Sequence, residues 1–167
     1  LLYEKLLMMR DHGRDSKTND VLLWGRNSRL DNLQAAFLDF QFNFYNDTVK
    51  RRRNIAKLYW EQLESISSIY LPPKPVSNSE NFDVFQNFEI EADDRDLLKD
   101  FLHKNGIGTL IQWGGKGIHQ FKNLGFDISL PFSEKVINRM LLLPLNMTIT
   151  DEEVKYVCEK IKFFYNN

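Results

Sequence analysis

The stretch WGRNSRLDNLQAAFLDF, residues 24–40, sets a cationic, amide-bearing corner directly against a helical pattern. Arg26 and Arg29 bracket Asn27 and Ser28. Beyond them Leu30, Leu33, Phe37, Phe40 and Phe44 advance in alternating three- and four-residue steps, which predicts one apolar helical face. Ser28, with Asp31 three residues on, reads as a capping box and puts the helix start at Arg29. The stripe blurs at YNDTVKRRR and resumes with Ile55, Leu58, Tyr59, Leu63 and Ile66. Two forms satisfy this pattern: two helices broken near Asn46-Asp47, or one helix from Arg29 to Glu64. The single helix would be on the order of 50 Å long at ~1.5 Å per residue, more than one small domain spans, and so would bridge two bodies.

Upstream, LLYEKLLMMRDHGR carries Leu2, Leu6 and Met9 at helical spacing, with Gly13 placed as a C-cap. A chain that opens inside a helix, with no initiating Met, is expected to be a piece of something longer. The 167 residues are 43% hydrophobic and 27% charged, with 13 Phe to fill a core, an ordinary globular composition. The formal charge of −1 gives no electrostatic footprint for nucleic acid. No run approaches a membrane span. Cys158 stands alone, so it forms no internal disulfide and belongs to no metal-ligand pattern, which suits a reducing, cytoplasmic compartment.

Downstream, LPPKPVSNSENF is the clearest boundary. It divides the chain into a helical arm at 1–66, a linker at 67–81 and a small C-terminal α+β domain at 82–167. In that domain Phe82, Val84, Phe88 and Ile90 alternate as a strand. Asp93 or Asp94 then caps a helix bearing Leu97, Leu98, Phe101 and Leu102, which stops at Asn105-Gly106. IGTLIQW reads as another strand, GGKG as a turn, Ser133 as a helix start and MLLLPLN as an apolar strand ending at Pro144. Thr150 and Glu153 form a second capping box, before Val154, Val157, Ile161 and Phe164 on an inward face. The order is strand, helix, strand, helix, strand, helix: an α/β class domain with a small sheet, behind a long helical arm.

Five blocks occur in fixed order: RDHGR, GRNSRLDNLQAAFL, RRRNIAKLYWEQL, DDRDLLKDFLHKNGIGT and LPLNMTITDEEVKYVCEKI. Together they resemble the C-terminal part of the DegT/DnrJ/StrS family of sugar aminotransferases, over nearly the whole chain. The resemblance implies a pyridoxal-phosphate enzyme of the aspartate-aminotransferase fold. Such an enzyme moves an amino group, from glutamate, onto a keto group of a nucleotide-activated sugar and works as a homodimer with a shared active site. It also implies that the Schiff-base lysine, the acid facing the pyridine nitrogen and the aromatic ring stacked on the cofactor all lie upstream. On that reading this chain alone is inactive and holds no catalytic residue.

Within the resemblance Asn27 matches the family's asparagine that reaches the cofactor phosphate of the neighbouring subunit, with Arg29 beside it. A phosphate suits amide donors and the positive end of a helix dipole; the plainer alternative is that Asn27 and Ser28 only cap the helix. The segment IQWGGKGIH departs from the family's His-Tyr-Pro-x-Pro-x-His turn. Gln112 and Trp113 stand at His-Tyr, Gly114 at the first Pro, and one extra residue precedes His119. Gln112, Trp113 and His119 are the candidates for lining the sugar-nucleotide site. Gln112 hydrogen-bonds but does not titrate near neutrality, Trp113 offers a stacking face, and His119 is equally readable as structural. Lys116, among three glycines, lacks Walker A spacing and is expected to be exposed. Lys50 to Arg53 point almost all round a helix and are expected to be solvated or paired with Glu61 or Asp47. No metal site is expected. A second reading keeps the chain as a non-catalytic sugar-binding, regulatory or interaction module of this ancestry.

Overall fold

A computed structural model describes residues 1–76 and 82–166, so part of the expected linker, 77–81, lies outside the described residues. The helices are α1 (Leu2–Arg10), α2 (Asn32–Phe42), α3 (Tyr45–Leu63), α4 (Arg95–Lys104), α5 (Pro131–Ile137) and α6 (Asp151–Asn166). The strands are β1 (Ile69–Tyr70), β2 (Phe88–Ala92) and β3 (Met140–Leu143). The chain forms two compact units, Leu1–Tyr45 and Asn46–Asn167, so α3 belongs with the sheet.

In the first unit α1 ends as its glycine predicts. Gly13, at φ 78°, donates its backbone N–H to Met8 O at 2.8 Å. A Cβ there would fall 1.6 Å from Leu23 O, so the close approach of residues 22–25 demands glycine as much as the dihedral does. The start of α2 differs from expectation. Asp31, not Ser28, is the N-cap, and its carboxylate accepts from Gln34 N at 2.8 Å. Ser28 instead donates its backbone N–H to Arg10 O, holding residues 26–28 extended alongside 9–12. The helical stripe breaks at Asn43-Phe44, slightly before the expected point. Asn43 turns its side-chain amide onto Phe40 O at 3.0 Å there, closing the helix end. Leu33, Phe37 and Phe40 on α2 are each more than 60% exposed.

The second unit is built on a three-stranded antiparallel sheet of order β1-β2-β3. β2 alternates strictly: Phe88, Ile90 and Ala92 are buried, while Glu89 and Glu91 face the other way. The buried set joins one core with Ile55, Tyr59 and Leu63 of α3, Leu98 and Leu102 of α4, and Val154, Val157 and Ile161 of α6. Tyr59 stacks on Phe88 with centroids 4.9 Å apart and donates its hydroxyl to Pro144 O at 2.8 Å, so this buried phenol carries no unmet donor. Each large apolar side chain buried here contributes roughly 1.5–3 kcal/mol.

Phe82 and Val84 lie outside β2, because Phe85 adopts a left-handed backbone (φ 51°) that ends the extended run. IGTLIQW contributes only a bridge, Leu110 to Leu142, rather than a strand. α4 begins at Arg95 without a carboxylate cap, since Asp94 is itself left-handed. Its end is as expected: Gly106 (φ 77°) follows Asn105, and Ile107 N returns to Leu102 O at 2.9 Å. α5 starts with Pro131 at its first position, not at Ser133. The capping box of α6 forms as read, with Thr150 N on Glu153 at 2.8 Å and Glu153 N on Thr150 Oγ1 at 3.1 Å.

In the basic run Lys50 is exposed, as expected, but the three arginines are partly buried and none pairs with Glu61 or Asp47; Glu61 takes Lys57 instead. Arg51 binds Asp151 at 2.6 Å and Ile149 O at 2.5 Å. Arg52 donates to Phe85 O and Gln86 O at 3.2 and 2.7 Å. Arg53 donates to Asp83 O and Val76 O and lies over the Phe82 ring at 4.1 Å. Three successive guanidiniums thus tie irregular chain to α3, satisfying carbonyls that no strand pairs.

Cys158 is 1% exposed, and burial pushes its thiol up to about 12. Essentially no thiolate is therefore present at pH 8. Ellman's reagent at that pH is expected to leave the folded protein's Cys158 unmodified and to react fully in denaturant; rapid labelling of the folded protein would contradict the packing of α6.

Candidate functional site

Two groups of side chains stand out, one in each unit. In the first, Asn27 pairs across an antiparallel bridge with Asp11. Its Oδ1 accepts from Arg29 Nε at 3.5 Å, and Arg29 Nε lies 3.6 Å from Asp11 Oδ1. Both Asn27 and Arg29 are exposed, and the Asn27 Nδ2 donors have no partner among the described residues. An amide and a guanidinium side by side in this way suit an anionic oxygen. The helix dipole is not part of the arrangement, contrary to expectation. α2 begins at Asn32, five residues beyond Asn27, and the Asp31 carboxylate already occupies its entrance.

In the second unit a cavity of about 700 Å³ lies against the face of the sheet opposite the helical core. Glu89 of β2 and Met140 of β3 line it, with Ile137 of α5 and the turn residues Ile111, Gln112, Trp113 and Lys116. Gln112–Gly115 form a tight turn in which Trp113, Gly114 and Gly115 are all left-handed, at φ 52°, 65° and 72°. Glycine adopts that conformation freely; Trp113 does so at a cost on the order of 1–3 kcal/mol. Trp113 is 82% exposed and lines the cavity. Gln112 is half-buried beside it, and Lys116 is exposed as its setting predicts.

His119 sits differently. It is buried, 7% exposed, and its Nε2 lies 3.1 Å from Glu134 Oε1 of α5. It lines no part of the cavity. A Cβ on Gly117 would come within 2.8 Å of its ring, so the turn closes directly over it. Arg95, which the sequence reading did not single out, is also buried, and donates to Ile137 O and Met140 O at 3.3 and 3.1 Å. It thereby fixes the end of α5 and the start of β3, both of which reach the cavity wall. Glu89 was equally unmarked. Its Oε1 is buried with no hydrogen-bond partner among the described residues, and burial raises its carboxyl above the usual range. The signal that could have found it is a carboxylate at an alternating position of a strand.

Residues 1–162 match the DegT/DnrJ/EryC1/StrS aminotransferase family. The chain belongs to this family. It is 34% identical to a pleiotropic regulatory protein of Geobacillus stearothermophilus, over 99% of this chain and 45% of that protein. It is 33% identical to a UDP-N-acetyl-3-dehydro-alpha-D-glucosamine 3-aminotransferase of Acidithiobacillus ferrooxidans, over 96% of this chain and 42% of the relative. Among solved structures it superposes on DesV of S. venezuelae, determined with a ketimine intermediate, with a TM-score of 0.87 and 26% identity. That match covers 99% of this chain and 44% of DesV. The chain thus spans less than half the length of these relatives. The family and the mixed α/β fold expected from the sequence are as found. No group of His, Cys, Asp and Glu among the described residues could hold a metal ion. No described helix is long and apolar enough to cross a membrane.

Glu134 Oε1 also accepts from Leu130 N at 3.2 Å, so one carboxylate joins the turn to the start of α5. Glu134→Ala is expected to destabilise the second unit by about 1–3 kcal/mol, the cost of a buried group left unpaired. Glu134→Gln, which keeps an acceptor, should recover most of it. Thermal unfolding with amide exchange at Leu130 measures this; equal melting of Glu134→Ala and the parent would remove His119–Glu134 as the anchor of the turn.

Proposed function

We propose that the full-length protein is a pyridoxal-phosphate-dependent aminotransferase that moves an amino group from glutamate onto a keto group of a nucleotide-activated sugar. The observation that carries this is the family match over residues 1–162, together with a cavity beside the turn that departs from the family pattern. The Schiff-base lysine belongs, on this reading, to the part of the relatives that this chain does not span, and these residues alone are catalytically inactive. The enzyme is a cytoplasmic homodimer. The exposed Leu33, Phe37 and Phe40 of α2 support an apolar interface in this unit.

Bound pyridoxal phosphate supplies the electron sink for the amino transfer; the side chains described here bind and orient. Asn27 and Arg29 hold the phosphate of the cofactor seated in the partner subunit. The fit is that of an exposed amide with spare donors beside a guanidinium. Asp11 balances part of the Arg29 charge, so Asn27 carries the more specific contact. Gln112 and Trp113 meet the nucleotide-sugar at the cavity mouth, Trp113 by stacking. His119 acts on the substrate only through the turn it supports. The second reading, a regulatory module without turnover, is favoured by the name of the Geobacillus relative. Glutamate-dependent amination of a ketosugar nucleotide by the full-length protein separates the two: 2-oxoglutarate release supports the enzyme, and its absence across a ketosugar panel supports the regulator.

Asn27→Ala in the full-length protein is expected to lose cofactor on dialysis, read as falling visible absorbance, with about a tenfold weaker retention for one charge-assisted hydrogen bond. Retention equal to the parent's would remove the cross-subunit contact. Trp113→Ala is expected to raise KM for the sugar nucleotide about tenfold while that for glutamate stays within a factor of about two. Parallel changes in both would detach Trp113 from the nucleotide-sugar.

A further inference from the structure

Glu89 lines the cavity with no internal contact to account for it. β2 alternation sends its side chain away from the core, and its strand neighbour Glu91 is taken up by Arg139 at 3.6 Å. Glu89 has no such partner: Oε1 is buried and unbonded, in a cavity wall that is otherwise apolar around Ile111, Phe121, Ile137 and Met140. Among the described side chains that line this space, Glu89, Gln112, Lys116 and the indole N–H of Trp113 carry polar groups. A buried carboxyl oxygen with unmet hydrogen-bonding capacity disfavours a wholly apolar occupant.

The balance of the wall decides which part of a nucleotide-sugar fits. A sugar ring carries hydroxyls around its whole rim, and each one buried without a partner costs about 1–3 kcal/mol. So few polar side chains do not serve such a rim. A nucleobase has two apolar π-faces and one polar edge, which matches aromatic Trp113 and Phe121 with a few polar groups on one side. Resting on the nucleotide-sugar reading, the geometry points to this cavity as the seat of the base, with Glu89 as a specificity-determining residue that accepts a ring N–H. Uracil, thymine and guanine carry that donor; cytosine and adenine do not. The Gln112 amide can donate to an adjoining ring carbonyl, and Lys116, exposed at the rim, is free to meet the diphosphate.

The test is calorimetric titration of the full-length, cofactor-loaded protein with UDP, dTDP, GDP and their ring-methylated forms N3-methyl-UDP, N3-methyl-dTDP and N1-methyl-GDP. At least one parent nucleotide is expected to bind about tenfold or more tightly than its methylated form, the discrimination that a buried acceptor left unpaired imposes. Glu89→Val, which suits an alternating strand position, should remove most of that difference. The methylated ligands put the same question to the unaltered protein, so misfolding of the variant leaves the answer intact. Equal affinities within all three pairs, or no binding of any parent nucleotide, overturn the base site whether or not the protein transaminates. Preserved discrimination without transamination overturns the aminotransferase reading and leaves the base site standing.

Discussion

Side chains on β2 alternate between a sealed apolar core and a cavity, and that two-residue period constrains everything built around the sheet. With Phe88, Ile90 and Ala92 inward, the strand joins α3, α4 and α6 in one cluster. Glu89 and Glu91 necessarily go outward. A slip of one residue would bury both carboxylates and expose two large apolar side chains, a cost of several kcal/mol by any transfer scale. The register with β3, Phe88 opposite Leu143 and Glu91 opposite Met140, is therefore strongly specified. The same register brings Glu89 and Met140 to a common cavity wall. Core packing thus delivers a carboxylate to a place where it has no structural task.

The first unit poses the opposite problem, an excess of competing charges around one corner. Had α2 begun at Arg29, its free amides and Asn27 would have converged on one anion. Asp31 takes that entrance instead, and a carboxylate at a helix N-terminus is itself the favoured occupant. What remains for an anion is the carboxamide of Asn27 and a guanidinium shared with Asp11. This makes the corner a two-donor contact, suited to completing a phosphate site whose other ligands come from elsewhere, and too weak to be one alone.

Legibility in the sequence followed how local each determinant is. The α6 capping box, the Asn105-Gly106 stop and the Gly13 turn depend on neighbours within a few residues, and all three were readable. The α2 start was misplaced by three residues because both Ser28 and Asp31 are competent caps; the choice is made by Arg10 O, which claims Ser28 N. β1, two residues long, has no period to detect. Phe82 and Val84 satisfied a strand pattern that the left-handed Phe85 interrupts, a dihedral no pattern encodes. The candidate site was legible only where the chain departs from its family, at Gln112 and Trp113. Arg95 and Glu89 looked like ordinary helix and strand residues, since their roles come from burial against distant segments.

What separates structural from functional polar groups here is whether their bonding capacity is spent. Arg51, Arg52 and Arg53 form the densest basic run, yet each is consumed by carbonyls or by Asp151. His119 is consumed by Glu134. Neither charge density nor residue type would have sorted them. Among the candidate-site groups, the Asn27 amide, the Lys116 ammonium, the exposed Trp113 face and the Glu89 carboxyl keep capacity unspent among the described residues. Three of these four border one cavity, and Trp113 is held there in a left-handed backbone. Strain and unmet hydrogen bonding in the same few residues have a common resolution if a ligand supplies the missing partners. On that ground the proposed substrate site falls at the cavity and not on the basic helix.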